Sequence, residues 1–270
     1  MAASRQALKR AAQSGIRLAH CLFMRRPLET RLALCFHQLE PEHWDEFRAC
    51  ILYFKERGYR AVSASDFVAA QSEDRCLFIS FDDSFLSWHQ ALAMLRSLDV
   101  TATFYVNTLP LRDVAKPTDI ERYRRRLRVT THVQPLACEE LREIRAAGHR
   151  IGCHSHSHYI LSRLPRDMWS EEILGSKQML ETILGEPVDD FSWPYGMRRH
   201  FSAELRRYCA SIGFKTIAND MSGCQRIAGR DPLNVFRTDW RFGASLRHNL
   251  ANLQIDGQSY ASLTGGSVIG

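Results

Sequence analysis

Two adjacent carboxylates are the first candidates for chemistry. Asp82 and Asp83 directly follow the apolar residues 76–79, in the order Ser80-Phe81-Asp82-Asp83. Neighbouring side chains of a regular strand point to opposite faces, but this alternation can lapse where a strand ends. We therefore expect both acids at one edge of a sheet, one binding a cation and the other accepting a proton. The alternative is that Asp83 or Ser84 caps the following helix.

A second candidate segment contains three histidines within five residues. His154, His156 and His158 directly follow a predicted strand over residues 149–153. His154 and His158 are four apart, so one helical turn would set them on the same side and within reach of a single ion, while His156 would face elsewhere. Ser155 stands where the His-Glu-x-x-His pattern of zinc proteases has its glutamate, so this is a different pattern. The alternative is a solvated polar turn.

A rigid turn is predicted at residues 194–196, again directly after a predicted strand. Pro194 and Gly196 favour such a turn, which can direct the backbone N–H of Tyr195 toward a developing oxyanion, although similar turns occur in structural loops. Two histidines and one aspartate would leave coordination positions for water and substrate, as a catalytic metal ion requires. Zinc is the favoured ion, and cobalt, nickel or iron would tolerate the same ligands.

The elements that position these segments alternate between strands and helices from residue 31 onward. About seven strand–helix units are predicted, a pattern typical of a parallel sheet wrapped by helices. The carboxyl ends of the strands of an α/β barrel meet at one edge, where its active site lies. Strands are predicted over residues 31–36, 59–62, 76–81, 101–106, 149–153, near 191 and over 214–218, and helices over 41–58, from 65, and over 85–98, 136–147, 167–184 and 201–212.

Length and composition indicate a single globular domain. The chain has 270 residues, 45% of them hydrophobic, and its 36 Lys and Arg against 30 Asp and Glu give a net charge of +6. We predict an amphipathic helical segment over residues 1–30, a domain over 31–260 with an inserted loop at 107–134, and a flexible tail over 261–270. The basic N-terminal segment either packs against the domain or lies on a membrane surface.

Composition also excludes several classes of protein. A run of about 18 apolar residues is absent, which excludes a spanning helix. Residues 1–10 lack the apolar centre of an export signal, so we predict a cytoplasmic protein, peripheral to the inner face of the membrane if its N-terminal segment binds lipid. The eight cysteines lie in apolar stretches without a Cys-x-x-Cys pair, as is typical of reduced, buried thiols. The basic run 122–128 lacks the interleaved aromatic residues of nucleic-acid binders, so we expect no nucleic-acid partner.

Taken together, the three segments resemble the motifs of the polysaccharide deacetylases, also called the NodB-homology or carbohydrate esterase family 4 group. The Thr-Phe-Asp-Asp motif of that family is similar to residues 80–83, its His-Ser/Thr-x-x-His motif to residues 154–158, and its Arg-x-Pro-x-Gly motif to residues 192–196. The combination is specific because the order and the spacing agree as well. The resemblance implies an α/β fold, a distorted (β/α)7 barrel, and removal of an acetyl group from a sugar.

The resemblance also implies a role for individual residues. Asp82 would be the general base and Tyr195 would supply the oxyanion N–H. The implied metal ligands are Asp83, His154 and His158, and the implied substrate-binding residues are Trp193, Pro194, Asp239 and Trp240.

The chain departs from the family pattern at three places. Ser192 replaces the arginine that orients the base in relatives, and Arg237 is a candidate for replacing it. Phe236 stands where the leading aspartate of the Asp-x-x-Asp-Trp motif would be, so that this motif survives only as Asp239-Trp240. The Leu-x-His motif that supplies the general acid in many members is not found. His37 resembles the N-terminal histidine of the poly-N-acetylglucosamine deacetylases and is predicted to replace it, the alternative being a structural histidine.

These residues predict a metal-dependent hydrolase that removes the N-acetyl group of an amino sugar in a glycan, a lipid-linked or a nucleotide-linked saccharide. The basic run 122–128 could meet the phosphates of such a substrate or form a solvated helix face. One alternative is a catalytically impaired carbohydrate-binding or regulatory member of the same fold. Another is a glycosidase with two carboxylates, which the adjacency of Asp82 and Asp83 does not favour.

Overall fold

The computed structural model describes residues 27–129, 133–221 and 231–254 of the chain. Within these ranges its strands are β1 (Arg31–Phe36), β2 (Arg60–Val62), β3 (Cys76–Asp82), β4 (Thr103–Val106), β5 (Arg150–Cys153), β6 (Asp190–Ser192), β7 (Thr216–Ala218) and β8 (Thr238–Asp239). Its α-helices are α1 (Trp44–Lys55), α2 (Ala64–Ala69), α3 (Ser87–Gln90), α4 (Leu92–Ser97), α5 (Pro117–Leu127), α6 (Cys138–Ala146), α7 (Ser176–Leu184), α8 (Ala203–Ser211) and α9 (Leu246–Leu253).

The described strands form one parallel sheet, in the order β7-β6-β5-β4-β3-β1-β8. On one side β3 pairs with β1, and on the other it pairs with β2 along its first half and with β4 along its second half. Because every pair is parallel, the carboxyl ends of all strands meet at one edge of the sheet. The predicted α/β architecture is confirmed.

The segment around β8 curls the sheet into a barrel. Val235 forms a parallel bridge to Ala218 of β7, and β8 pairs with β1 from Leu34 to Cys35. Residues 235–239 therefore connect the two ends of the sheet, and we call them the closing segment. The resulting fold is the predicted distorted (β/α) barrel, with helices around the parallel strands.

The alternation of side chains along β3 separates an outer core from the inside of the barrel. Leu77, Ile79 and Phe81 belong to the large core that the sheet forms with the surrounding helices. Phe78 faces the other way, into a smaller cluster that includes Tyr105 of β4. The period of two in a strand therefore puts Ser80 and Asp82 inside the barrel with Phe78.

Helix α1 shows how the outer layer is held. Its buried residues Phe47, Cys50, Ile51 and Phe54 have the spacing of one helical face. Burying each large apolar side chain contributes about 1.5–3 kcal/mol relative to exposure.

Several predicted elements differ in extent. The predicted helix over 85–98 is two short helices, α3 and α4, because the backbone leaves the α-helical ψ at Ala91 (φ −85°, ψ −1°). The insertion at 107–134, predicted as a loop, contains the helix α5. The predicted helix over 167–184 begins with a 3-10 turn and the π-helical turn Ser170–Gly175 before α7. The strand β8 and the helix α9 were not predicted.

Two further predictions concern cysteines and membranes. The six described cysteines are free and buried, which agrees with the predicted reduced thiols: Cys35, Cys50, Cys76, Cys138, Cys153 and Cys209. Among the described residues, no helix has both the length and the apolar run that crossing a membrane would take. The predicted amphipathic stretch up to residue 26 and the predicted tail at 261–270 lie outside the described residues.

Candidate active site

An open cavity of about 400 Å³ lies at the edge where the carboxyl ends of the strands meet. Seven of the ten predicted site residues line it: His37, Asp82, Asp83, His154, His158, Tyr195 and Trp240. These residues lie at or shortly after the ends of β1, β3, β5, β6 and β8, so their convergence is a direct result of the parallel topology. Gly196 and Asp220 complete the wall near Tyr195.

The backbone at the end of β3 turns both acids toward the cavity. Asp82 is the last residue of the strand and has the inward direction of Ser80. A regular strand would send Asp83 outward, but Asp83 and Ser84 both have left-handed backbones, with φ of 86° and 56°. Such conformations are strained for residues other than glycine and cluster at functional sites. The capping alternative is not supported, since α3 has no side-chain cap.

The histidines converge through a tight loop. The predicted helical turn at residues 154–158 is wrong, because these residues are not helical and Ser155 and His158 have left-handed backbones, with φ of 66° and 61°. His156 faces elsewhere as predicted, and its Nδ1 lies 2.8 Å from Thr108 Oγ1. The left-handed backbones of this loop, rather than helical periodicity, bring the rings of His154 and His158 to 5.2 Å between centroids.

Glu172 holds this loop, and sequence reasoning missed it. Its backbone carbonyl accepts the N–H of His156 at 2.7 Å, and its carboxylate accepts the N–H of Ser157 at 3.0 Å and also the hydroxyl of Ser157. Glu172 is only 3% exposed and lies in the π-helical turn before α7. Such turns interrupt helices at functional sites.

Asp83, His154 and His158 together form a donor set for one cation. Their ligand atoms all lie within 4.8 Å of one another, and the three residues are buried. Asp83 Oδ1 is 3.1 Å from His158 Nε2 and 3.4 Å from His154 Nε2. Tetrahedral ligands at about 2.0–2.1 Å from a zinc ion are about 3.3–3.4 Å apart, so the observed spacing fits such an ion.

Hydrogen bonding supports the same interpretation. The carbonyl of Ser192 can only accept, so the 2.7 Å contact with His154 Nδ1 places a proton on that nitrogen and leaves Nε2 to bind a cation. Asp83 Oδ1 is buried and accepts no hydrogen bond from the described residues. An unpaired buried carboxylate oxygen facing imidazole nitrogens is costly unless a cation lies between them. The residues therefore fit a divalent metal.

Charges in the site keep Asp83 ionised. Burial alone would raise the pKa of Asp83, but the nearby His158 and His154 hold the pKa well below its usual range. Burial lowers the pKa of His158 below its ordinary value, although Asp83 opposes this shift, and the deprotonated ring is the form that binds a metal.

Asp82 is bound by Arg237 of the closing segment. The guanidinium donates from Nη1 to Oδ1 at 2.8 Å and from Nη2 to Oδ2 at 2.7 Å, a bidentate pair. Nη2 also donates to Ser192 Oγ at 2.7 Å, and this hydroxyl lies 3.3 Å from Asp82 Oδ2. Burial would raise the pKa of Asp82, but Arg237 outweighs it and lowers the pKa below its ordinary value.

Arg237 therefore fills the place that the family motif gives to an arginine at position 192. It is fully buried, and its Nε donates to the carbonyl of Asn219 at 2.8 Å. The short side chain of Ser192 leaves room for the guanidinium, which enters the barrel from the closing segment instead.

His37 lies between two carboxylates at the cavity wall. Its Nδ1 is 3.7 Å from Asp239 Oδ1 and its Nε2 is 4.0 Å from Asp83 Oδ2. Burial lowers the pKa of His37, but Asp83 and Asp239 outweigh it and raise the pKa above its ordinary value. The ring is 42% exposed, so solvent screens part of this effect.

The turn at residues 194–196 presents Tyr195 to the cavity. Tyr195 has a left-handed backbone, with φ of 65°, and its ring is 4.6 Å from that of His158. Its N–H donates to no acceptor among the described residues, so it is available to a ligand. Gly196 is required here, because a Cβ at this position would lie 2.1 Å from the Cβ of Asp220.

A family model decides the relationship of this chain to known proteins. The model for polysaccharide deacetylases matches residues 69–217, more than half of the chain. The chain belongs to the polysaccharide deacetylase family. The matched range contains Asp82, Asp83, His154, His158 and the turn at 194–196.

Solved structures of other deacetylases share the fold. The deacetylase PplD of Streptococcus pyogenes, solved in complex with acetate, is 19% identical with a TM-score of 0.66, and the match covers 85% of this chain and 100% of PplD. IcaB from Ammonifex degensii is 18% identical with a TM-score of 0.66, covering 83% and 96%. A de-N-acetylase from Aggregatibacter actinomycetemcomitans is 14% identical with a TM-score of 0.63, covering 82% and 98%. No curated protein sequence matches the chain.

Two residues implied by the family motif do not reach the cavity wall. Trp193 is 1% exposed, stacks on Phe201 at 4.5 Å between centroids, and donates from Nε1 to the carbonyl of Met197 at 3.2 Å. Pro194 is also buried. Their position gives both residues a role in packing the turn at residues 194–196. Asp239 contacts the cavity through His37, and Trp240 lines it directly.

Asp220 is a cavity residue of this deacetylase that the sequence interpretation missed. It follows β7, lines the cavity and has a buried Oδ1 without a hydrogen-bond partner among the described residues. Burial, followed by repulsion from Asp239, raises the pKa of Asp220 to about 7. None of the recognised motifs includes it; only its place at the carboxyl end of a predicted strand could have marked it.

Proposed function

We propose that this family member is a metal-dependent deacetylase that hydrolyses the N-acetyl group of an amino sugar in a glycan, a lipid-linked or a nucleotide-linked saccharide. One observation carries the proposal: Asp83, His154 and His158 converge as a buried donor set beside Asp82, which is fixed by Arg237. An isolated metal site would not need a second buried carboxylate at its side. Zinc is the metal we propose for the site, because its ligand preferences match two imidazoles and a carboxylate.

In the proposed reaction Asp82 is the general base. Asp83, His154 and His158 would hold a divalent cation, which would supply Lewis acidity toward the acetamide carbonyl and lower the pKa of water. Asp82 accepts a proton from the attacking water, and Arg237 keeps its carboxylate ionised and oriented for this.

Two other groups act on the substrate. The N–H of Tyr195 donates to the oxyanion that develops when water attacks the carbonyl carbon. His37 gives a proton to the nitrogen as the carbon–nitrogen bond breaks, so that acetate and a free amine leave. A positioned acid or base of this kind typically contributes about 10² to 10⁴ in rate.

The alternative is a catalytically impaired carbohydrate-binding or regulatory member of the same fold. One reason to consider this alternative is that Ser192 replaces the arginine of the family motif. The bidentate contact from Arg237 to Asp82 weakens that reason. Retention of the metal without hydrolysis of any acetylated sugar would favour this alternative. A cytoplasmic location stays a prediction.

Acetate release tests the proposed function. Metal-loaded protein is incubated with nucleotide-linked, lipid-linked and polymeric N-acetyl sugars, with and without a chelator. We expect release that the chelator abolishes and that added zinc restores. Asp82→Asn should keep the metal and lose turnover, which separates the base from the ligands. Full activity in the chelated enzyme or in Asp82→Asn would refute the assigned roles.

A further inference from the structure

Four arginines without acidic partners lie near Tyr195, which lines the cavity. They come from the end of α5 and from two turns near Tyr195, and we call them the basic rim: Arg126, Arg128, Arg163 and Arg199. Among the described residues, none of the four forms an ion pair with a carboxylate, although Arg126 donates to the carbonyl of Ser157 and, at 2.8 Å, to the hydroxyl of Tyr159.

Other arginines of α5 show the difference. Arg122 lies 3.3 Å from the carboxylate of Asp119, and Arg125 pairs with Glu121 one helical turn away. These two arginines are neutralised on the helix surface. The predicted basic run 122–128 therefore contains two arginines paired with acids, Arg122 and Arg125, and two without ion pairs to described residues at the C-terminal end of α5, Arg126 and Arg128, while Arg124 donates to the carbonyl of Val133.

Contacts place the basic rim around Tyr195. The end of α5 reaches the cavity, since Leu127 and Val129, on either side of Arg128, line it. The hydroxyl of Tyr195 lies 3.5 Å from the carbonyl of Arg126. Burial raises the pKa of Tyr195, and the charges of Arg126 and Arg128 oppose this rise, as expected for two cations near the phenol.

The other half of the basic rim is connected through His200. The ring of His200 is 5.5 Å from that of Tyr195, and its Nε2 lies 3.2 Å from Arg199 Nε. Ser162 donates to the carbonyl of Arg199 at 2.7 Å, which holds the turn that carries Arg163 against it. Burial, and then the charges of Arg199 and Arg163, lower the pKa of His200, so both cations are near its ring.

Another part of the cavity wall is aromatic. His43 stacks on Phe242 at 4.6 Å between centroids, and Trp240 lies beside them. A sugar ring can lie against such aromatic side chains, whereas the cations of the basic rim stabilise an anion. The cavity therefore has a preferred orientation for a ligand with a neutral ring and a negative group.

We infer that the substrate is an N-acetyl amino sugar with a phosphate ester on its anomeric oxygen, and that the phosphate rests on the basic rim. The inference rests on the proposed function and narrows its substrate class. In a 2-acetamido sugar the anomeric carbon is bonded to the carbon that carries the acetamido group. A phosphate on the anomeric oxygen is therefore close to the reacting carbonyl. In the protein, Tyr195 connects the basic rim with His158, because its ring contacts the ring of His158. A neutral polymer would leave these cations unused.

Binding of two products that cannot be hydrolysed further tests the inference. Glucosamine 1-phosphate and methyl glucosaminide differ in the charged group, and their dissociation constants are measured by calorimetry on the zinc-loaded protein. We expect the phosphate to bind about tenfold more tightly or better. Raising the salt concentration should weaken the binding of glucosamine 1-phosphate and leave that of methyl glucosaminide unchanged. Equal binding of the two probes would overturn the inference.

Matched double variants identify the residues. Arg128→Gln with Arg163→Gln should abolish the preference for the phosphate. The control, Arg122→Gln with Arg125→Gln, removes the same charge from the paired arginines and should keep the preference within about twofold. Loss of the preference in the control alone would refute the role of the basic rim.

Kinetics distinguish the sources of the phosphate and separate this inference from the proposed function. Acetate release is compared for a uridine-diphosphate-linked, a prenyl-diphosphate-linked and a neutral oligomeric N-acetylglucosamine. A higher kcat/KM for either linked sugar, reduced through KM in the rim variant, supports the inference and identifies the source. Release from the neutral oligomer alone, without a phosphate preference, refutes the inference and leaves the deacetylase. A phosphate preference without any acetate release leaves the anion site and refutes the proposed function.

Discussion

Replacing Arg237 by methionine tests the buried pair that supports the base. The guanidinium is fully buried and Asp82 is 5% exposed, so the variant leaves a carboxylate without its counterion inside the barrel. Breaking a buried pair in this way costs about 3–5 kcal/mol of the free energy of unfolding. The cost arises from the charge that remains, since methionine replaces much of the apolar volume of the arginine side chain.

A double-mutant cycle separates this charge effect from lost packing. We expect Asp82→Asn and Arg237→Met each to be destabilising, and the double variant to lose about 2–3 kcal/mol less than the sum of the two, because it buries no unpaired charge. Urea unfolding followed by tryptophan fluorescence measures each free energy.

A pair of the same chemistry at the surface is the control. Arg145 also contacts both carboxylate oxygens of Glu186, but the two side chains are 31% and 36% exposed. Arg145→Met should therefore cost no more than about 1 kcal/mol. Additive losses within about 0.5 kcal/mol in the Asp82–Arg237 cycle, or equal losses for Arg237→Met and Arg145→Met, would contradict the role we give to burial.

Three further predictions follow from single residues. His154→Ala should lose the bound metal in elemental analysis while His156→Ala keeps it, and equal metal content in both would exclude the proposed ligand set. Gly196→Ala should reduce kcat for acetate release about 100-fold by displacing the turn, whereas Gly148→Ala, with nothing within 4 Å of its Cβ, should leave kcat unchanged. His149 is 3% exposed and burial lowers its pKa from 6.5 to about 4, so the unfolded chain takes up the proton first as the pH falls below 6.5. The free energy of unfolding should then drop by about 2 kcal/mol more between pH 7.5 and 5 in the wild type than in His149→Asn, and equal pH dependence would contradict this.

The sequence predicted those parts of the site that lie at the ends of regular, apolar strands. Asp82, Asp83, His154 and His158 were found because acidic and imidazole side chains lie at or directly after the ends of β3 and β5. The geometry between the two histidines was not predictable from their spacing, because the left-handed backbones of Ser155 and His158 replace the helical turn.

Residues on short or irregular elements were harder to find. The sequence marked Arg237 only as a candidate for orienting Asp82. The adjacent strand β8 has two residues and shows no periodicity, and Asp82 is 155 residues away from Arg237. The helix α5 was taken for a loop because Tyr123 is its only fully buried residue, so an apolar stripe is lacking. Glu172 was missed because its contacts with the loop at residues 154–158 depend on a π-helical turn, which no residue pattern predicts.

The separation of 155 residues between Asp82 and Arg237 affects the order in which the parts of the barrel fold. A ribosome completes β1 to β7, including all three proposed metal ligands, before it releases residue 237. Until then Asp82 can enter the barrel interior only as an uncompensated charge or with a proton bound, and both disfavour a finished interior. Competence for hydrolysis should therefore appear only when the closing segment docks, later than the strands that carry the ligands.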